Sequence, residues 1–359
     1  MWPNRRLLEL FKIDRPILLA PMAGVMDAEL AIAVANAGGL AALPAGMLNE
    51  EQLRAQIAQF RAATGNKPIN LNFFAHKMPT PNNAREHAWR EKLKPYFVEF
   101  GIDPGALAAT AARMPFDAAM CAAVEDLKPE VVSFHYGLPE ATFVAGVKAA
   151  GCKLLCSATT VAEARFLEAN GCDAVIAQGL EAGGHRGMFL TDDIATQVGL
   201  FALLPQVVDA VKVPVIATGG IGNARGIVAA LALGAAGVQM GTAFLPCPEA
   251  KTLPPHRAAL RAARDDSTVL TNVLSGRPAR GLINRAIREL GPLSEIVPEF
   301  PFASGALAPL HAKAQALGSG DFSPMLAGQA AALGRELPAA QLIEQLVAES
   351  QGLLRELAP

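Results

Sequence analysis

Eight short, mainly apolar runs recur along the chain: Ile17–Ala20, Leu40–Leu43, Ile69–Phe73, Val131–Phe134, Lys153–Ser157, Ala174–Ala177, Val215–Ala217 and Gly237–Met240. Runs of this length that do not alternate with polar residues predict parallel strands covered on both faces. Helical patterns with start and stop signals lie between several of them. Asp27 is placed to cap a helix through Ala37 that Gly38 and Gly39 stop; Thr160 does the same for Val161–Asn170, ended by Gly171, and Asn223 for Ala224–Leu233, ended by Gly234. The Ala164-Arg165…Gly171…Ala174–Ala177 unit is faintly echoed by Ala224-Arg225…Gly234…Gly237–Met240. Alternation of strand and helix predicts a parallel α/β fold, and eight strands point to a closed (β/α)8 barrel, the TIM barrel, rather than an open sheet.

The 359 residues exceed what such a barrel needs, roughly 250. Residues 1–74 and 131–245 read as the barrel. Residues 75–130, after the third strand, read as a helical insertion with the charge-rich piece Arg85–Lys94. Residues 246–359 read as a mostly helical C-terminal segment packing on the barrel, with the Pro- and Gly-rich stretch Gly291–Gly320 as loop or lid.

Composition narrows the function classes. Hydrophobic residues make up 52% and charged residues 18%, enough for a large core. A net charge of -2 and only two Tyr and two Trp give no case for nucleic acid or an anionic membrane as partner. Gly226–Leu245 carries no charge and has about the length of a membrane span. Gly234, Gly237, Gln239 and Gly241 interrupt it, however, and favour a helix followed by a strand. Arg5 and Arg6 do not begin a signal peptide, because Glu9, Lys12 and Asp14 break the apolar run that should follow. The five cysteines are odd in number and lack C-x-x-C spacing, so they read as reduced thiols of a cytoplasmic protein and not as a metal site.

Chemistry concentrates at strand ends. Val215-Ile-Ala-Thr-Gly-Gly-Ile-Gly-Asn-Ala-Arg and Gly237-Val-Gln-Met-Gly-Thr-Ala-Phe are strands seven and eight by count, each closing in a small-residue turn. Glycines let backbone N–H groups approach an anion, and barrels often bind phosphate there. Gly220, Gly222 and Gly226 miss the dinucleotide fingerprint by one residue, and the next strand ends in Gln239-Met240 with no carboxylate for a ribose. Gln178-Gly-Leu-Glu-Ala-Gly-Gly-His-Arg-Gly187 follows strand six and brings one imidazole, His185, to the same face, where Gln178 could bond the edge of a flat ligand. Met22, after Pro21, could pack on an apolar ring system. Asn70 and Asn72 share a strand face, which favours a polar partner in the barrel mouth. His135 ends strand four. His76, His87, His256 and His311 have no comparable setting.

Taken in order, A-P-M-A-G, N-x-N-F-F, S-F-H-Y-G, E-A-G-G-H-R-G, A-T-G-G-I-G…V-Q-M-G-T-A-F and Ser275-Gly-Arg-Pro-Ala-Arg-Gly281 resemble the nitronate monooxygenases. The resemblance runs from about residue 13 to 290, and more loosely through Ala327-Gly-Gln329. Ala88-Trp-Arg and Lys94-Pro-Tyr96 resemble the class I branch. It implies that Met22, Asn72, Gln178, Gly183, Gly220, Gln239, Met240, Gly241 and Thr242 hold FMN, that His185 is catalytic, and that His135, Tyr136 and Phe302 belong to the substrate pocket. It implies oxidation of alkyl nitronates, propionate 3-nitronate among them, with O2 to a carbonyl compound and nitrite, a detoxifying reaction. For neutral nitroalkanes His185 would take the α-proton, with activity rising near pH about 6.5 if its pKa is ordinary. The family pocket carries several tyrosines, whereas this chain has only Tyr96 and Tyr136, so Phe302 and Phe322 are the candidates for the vacated places. Two alternatives remain: an FMN-dependent NAD(P)H reductase of a quinone or enoyl thioester, and a flavin-binding protein without turnover.

Overall fold

The computed structural model describes residues 2–103 and 113–358. Six strands come first: β1 (Ile17–Leu19), β2 (Ala41–Leu43), β3 (Ile69–Phe74), β4 (Val131–His135), β5 (Lys153–Ala158) and β6 (Ala174–Gln178). A two-residue strand, β7 (Gly184–His185), precedes β8 (Val215–Thr218) and β9 (Gly237–Met240). All but β7 join one parallel sheet in the order β1-β9-β8-β6-β5-β4-β3-β2. A Leu18–Leu40 bridge brings β1 against the entry to β2 and closes the ring. The chain is therefore an eight-stranded parallel α/β barrel, as its apolar runs predict.

A short helix α1 (Arg6–Phe11) leads into β1. Helices α2 (Ala28–Asn36), α3 (Glu50–Thr64), α4 (Asn83–Glu99), α5 (Ala118–Leu127), α6 (Ala141–Ala149), α7 (Val161–Ala169), α8 (Leu200–Ala210) and α9 (Ala224–Ala232) follow. The three caps read from sequence form: Asp27 accepts from Glu29 N, Thr160 from Glu163 N and Asn223 from Gly226 N. The uncharged stretch Gly226–Leu245 is most of α9, then β9 and the 3-10 turn after it, and no helix among the described residues is long and apolar enough to cross a membrane. All five cysteines are buried and unpaired.

After β9 the chain forms α10 (Pro254–Arg261), β10 (Thr268–Thr271), β11 (Ala279–Leu282), α11 (Arg285–Leu290), α12 (Ala303–Ala316) and α13 (Ala339–Glu356). Strands β10, β11 and β7 make a small antiparallel sheet that sets Ala279 opposite His185. Gly291–Gly320 is not loop throughout, because α12 runs through it and through Pro309. Ala303, Ala306, Leu307, Leu310 and Ala314 form an apolar stripe of good helix formers, and that stripe packs with Trp89, Leu93 and Phe97 of α4 in a second core. Helix α13 packs between α9 and α2, and its Leu342, Ile343, Leu346 and Val347 enter the main core. It takes the place of the barrel's eighth helix.

One buried carboxylate ties the barrel to the loop that carries the site. Glu163, fully buried on α7, accepts from Thr159 N and Oγ1 (both 2.7 Å), from Phe189 N (2.6 Å) and from Leu190 N (3.1 Å). Glu163→Ala strands these donors, and each unsatisfied buried group costs about 1–3 kcal/mol. Chemical denaturation should show a loss on the order of 3 kcal/mol or more, with Glu163→Gln losing less because its amide oxygen still accepts.

Candidate active site

Side chains alternate along a strand, so each barrel strand points every second residue inward. At the C-terminal ends those inward positions are polar: Asn72 on β3, Ser133 on β4, Ser157 on β5, Gln178 on β6, Thr218 on β8 and Gln239 on β9. All six line a large cavity in the barrel mouth. Register puts Asn72 opposite Ser133, Gln178 opposite Thr218, and Thr218 opposite Gln239. Asn72 Nδ2 donates to Ser133 Oγ at 2.9 Å. Asn70 sits one layer deeper and does not line the cavity; its Oδ1 finds no partner among the described residues. Ser133, Ser157 and Thr218 escaped the sequence reading, although each is a polar residue closing an apolar run.

The Gly-rich loop after β6 folds back over this mouth. Arg186, fully buried, donates to Gln178 O (2.9 Å), Gly179 O (2.6 Å) and Gln197 Oε1 (2.9 Å), which fixes both ends of the loop. Gln178 Nε2 donates to His185 O at 3.0 Å and its Oε1 accepts from Gly187 N at 2.8 Å. Gln178 thus holds the loop as well as lining the cavity. His135 Nε2 also meets His185 O at 3.2 Å, and its Nδ1 meets Ser157 Oγ at 3.2 Å. His185 lines the cavity, with Nε2 2.7 Å from Ser275 Oγ, in the Ser275–Gly281 motif.

Beside this loop, on the neighbouring strand, Gly219 and Gly220 after β8 both take positive φ, 114° and 67°. Gly220, Ile221, Gly241 and Thr242 line the cavity, and their N–H groups donate to no acceptor among the described residues. The geometry is a backbone nest at the foot of α9, suited to an anion. Met22, Gly183 and Met240 also line the cavity. A Cβ on Gly183 would lie 2.5 Å from Gly328 N and 2.6 Å from Ala327 C, so only glycine admits the C-terminal segment here. That segment supplies Leu326, Gly328 and Ala330 to the wall, and Gly328 N donates to Thr242 Oγ1 at 2.9 Å. Two further cavity residues, His256 and Arg113, had no signal in sequence because they come from the helical segments.

An aromatic cluster backs His185. Tyr136, buried and at φ 73°, lies 4.6 Å from the His135 ring and 6.2 Å from the His185 ring, and does not itself line the cavity. The pocket position expected of Phe302 is not on the cavity wall; the ring that meets His185, at 5.5 Å, is Phe300. Residue 302 is the N-cap of α12. Phe322 is buried in the second core against Tyr96 and Phe100. Burial, then the charges of Arg113, His135 and Arg277, push the His185 imidazole well below its ordinary value.

Burial is also the main cause that takes His76, His135 and His256 down to about 4. All these imidazoles are harder to protonate in the folded chain than in the unfolded one. The unfolded chain therefore takes up protons first as pH falls through about 6.5, and stability is lost between there and about 4. Urea midpoints measured from pH 7.5 to 4.5 should drop across this window; midpoints level down to pH 5 would contradict the assignment.

The model of the nitronate monooxygenase family matches residues 4–349. A nitronate monooxygenase of Paraburkholderia phytofirmans is 44% identical over 99% of this chain and 97% of its own length. One from Pseudomonas aeruginosa is 43% identical over 97% of this chain and 99% of its own. Among solved structures, nitroalkane oxidase from Streptomyces ansochromogenes superposes with a TM-score of 0.89 at 38% identity, covering 98% of this chain and all of that one. Polar ring, glycine nest and histidine loop lie on a chain matched over nearly its whole length, and the protein belongs to the nitronate monooxygenase family of oxidoreductases.

Proposed function

We propose that the chain oxidises alkyl nitronates with O2, using FMN, to a carbonyl compound and nitrite. One observation carries the reading: His185, its imidazole pushed well below its ordinary pKa, lines the same cavity as the backbone nest at Gly219 and Gly220. The residues fit the cofactor. Gly220, Gly241 and Thr242 would take the phosphate on free N–H groups and the Thr242 hydroxyl. Met22, Asn72, Gln178, Gly183, Gln239 and Met240 would bound the ring system, with the unpartnered Gln239 Oε1 free to accept from it. FMN, when bound, supplies the redox chemistry by taking electrons from the nitronate and passing them to O2.

The chain's own part is positioning and one proton. Ser275 Oγ lies 3.4 Å from Arg277 O, to which it can donate, so it is free to accept from His185 Nε2–H. Nδ1 then keeps its lone pair, and it has no protein partner among the described residues. A nitroalkane above it would lose its α-proton to Nδ1 and become the nitronate. Aerobic nitrite release from ethyl and propyl nitronates, with FMN recovered from the denatured protein, tests the reading. No nitrite from any nitronate would defeat it, and prompt anaerobic bleaching by NADH would favour the reductase alternative.

Two expectations follow for His185. His185→Asn should cut turnover of neutral nitroalkanes by roughly 10²–10⁴, the usual worth of a positioned base, and spare much more activity on pre-formed nitronates. Because burial keeps the imidazole neutral, activity on neutral nitroalkanes should show no rise through pH 6.5, unlike the profile of an ordinary histidine. A clear rise near that pH, lost in the variant, would mean the site is more open to water than its geometry indicates.

A further inference from the structure

Two imidazoles, His135 and His185, line the same wall of the cavity, and they differ in what their nitrogens have left to give. His185 Nδ1 has no protein partner among the described residues. Both nitrogens of His135 are engaged, Nε2 with His185 O and Nδ1 with Ser157 Oγ, each at 3.2 Å. Burial takes the His135 pKa down to about 4, so the ring is neutral at ordinary pH. A neutral imidazole has one N–H and one lone pair. A carbonyl oxygen only accepts, so Nε2 carries the hydrogen and donates to His185 O. Nδ1 therefore keeps the lone pair, and the Ser157 hydroxyl donates to it. The other tautomer would set a nitrogen lone pair against the carbonyl oxygen.

This run of donors is built into the barrel. Register pairs Ser133 of β4 with Leu155 of β5, so two residues further on His135 comes beside Ser157 on the inward face. The last glycine of the loop makes room for the pair. A Cβ on Gly187 would lie 2.9 Å from His135 Cε1 and 3.0 Å from Ser157 Cβ. Gln178 Nε2 donates to the same carbonyl at 3.0 Å. Both lone pairs of His185 O are then taken, one from the end of β4 and one from the end of β6.

We propose that His135 is a positioning residue, its ring held by Ser157 so that Nε2–H fixes the His185 carbonyl, and not a second base or a ligand of the substrate. Its effect on turnover rests on the nitronate reading; its effect on the loop does not. Four FMN-loaded full chains are compared: the parent, His135→Asn, His135→Gln and Ser157→Ala. The Gln amide nitrogen reaches as far along the side chain as Nε2 and keeps the donor, whereas the shorter Asn reaches only as far as Nδ1. His135→Asn should lower kcat for neutral 1-nitropropane by roughly 10–100-fold with little change in KM, the scale that misplacing a catalytic group by a fraction of its contact distance brings. His135→Gln should recover most of that loss, and Ser157→Ala should fall between the two.

Amide hydrogen exchange across Gly183–Gly187 gives a readout that needs no turnover. It should quicken in His135→Asn and in Ser157→Ala and return close to the parent rate in His135→Gln. Nitrogen NMR of labelled histidines at about pH 8, above the ordinary histidine pKa, should show His135 as the Nε2–H tautomer, its signals identified by their loss in His135→Gln. If no nitro compound is turned over but loop exchange follows this order, the nitronate reading fails and the positioning role stands. His135→Gln no better than His135→Asn in kcat and in exchange, a loss carried by KM instead of kcat, or an Nδ1–H tautomer in the parent overturns the proposal.

Discussion

The buried guanidinium of Arg186 is the tie on which the site depends. A loop of nine glycine-rich residues has little tendency to hold one shape, because each glycine gives up more backbone freedom on folding than any other residue. Arg186 offsets that by bonding to the two carbonyls where the loop leaves β6 and to Gln197 where the chain leads into α8. With both ends fixed, the one carbonyl that two strand-end side chains can reach is that of His185, and Gln178 and His135 both meet it. The imidazole is then placed by its anchored backbone and by its contact with Ser275.

Much of this was legible because burial leaves a plain mark on sequence. Strands covered on both faces have almost no freedom to be polar, so the eight runs stood out, and the caps Asp27, Thr160 and Asn223 followed from the need to satisfy free N–H groups. The nest glycines were legible for the opposite reason, since positive φ at Gly219 and Gly220 excludes nearly everything else. What stayed hidden came from distant parts of the chain. The sheet that joins β7 to β10 and β11 pairs residues about ninety apart, and nothing local in Thr268–Thr271 announces that partner. Phe300 rather than Phe302 meets His185, next to a helix, α12, that Pro309 concealed.

The depressed imidazole at position 185 shows the same limit in electrostatic form. Its neighbours in sequence are glycines and one arginine whose charge is already satisfied by carbonyls. The charges that act on it are Arg113, His135 and Arg277, from three separate segments. A pH profile read from the residue type alone would therefore place its midpoint too high, and only the assembled mouth corrects it.

Helix α13 completes the ring between α9 and α2, yet it is separated from β9 by the segment that adds His256, Leu326, Gly328 and Ala330 to the cavity wall. The barrel's final βα unit is thus split around the cavity wall. During synthesis, Leu326, Gly328 and Ala330 leave the ribosome before the helix that finishes the ring. Gly183 and Gly328 leave no space for a side chain between them, so this wall is close-packed against the loop after β6. An insertion between β9 and α13 can therefore enlarge the chamber without altering the strand order that supports it.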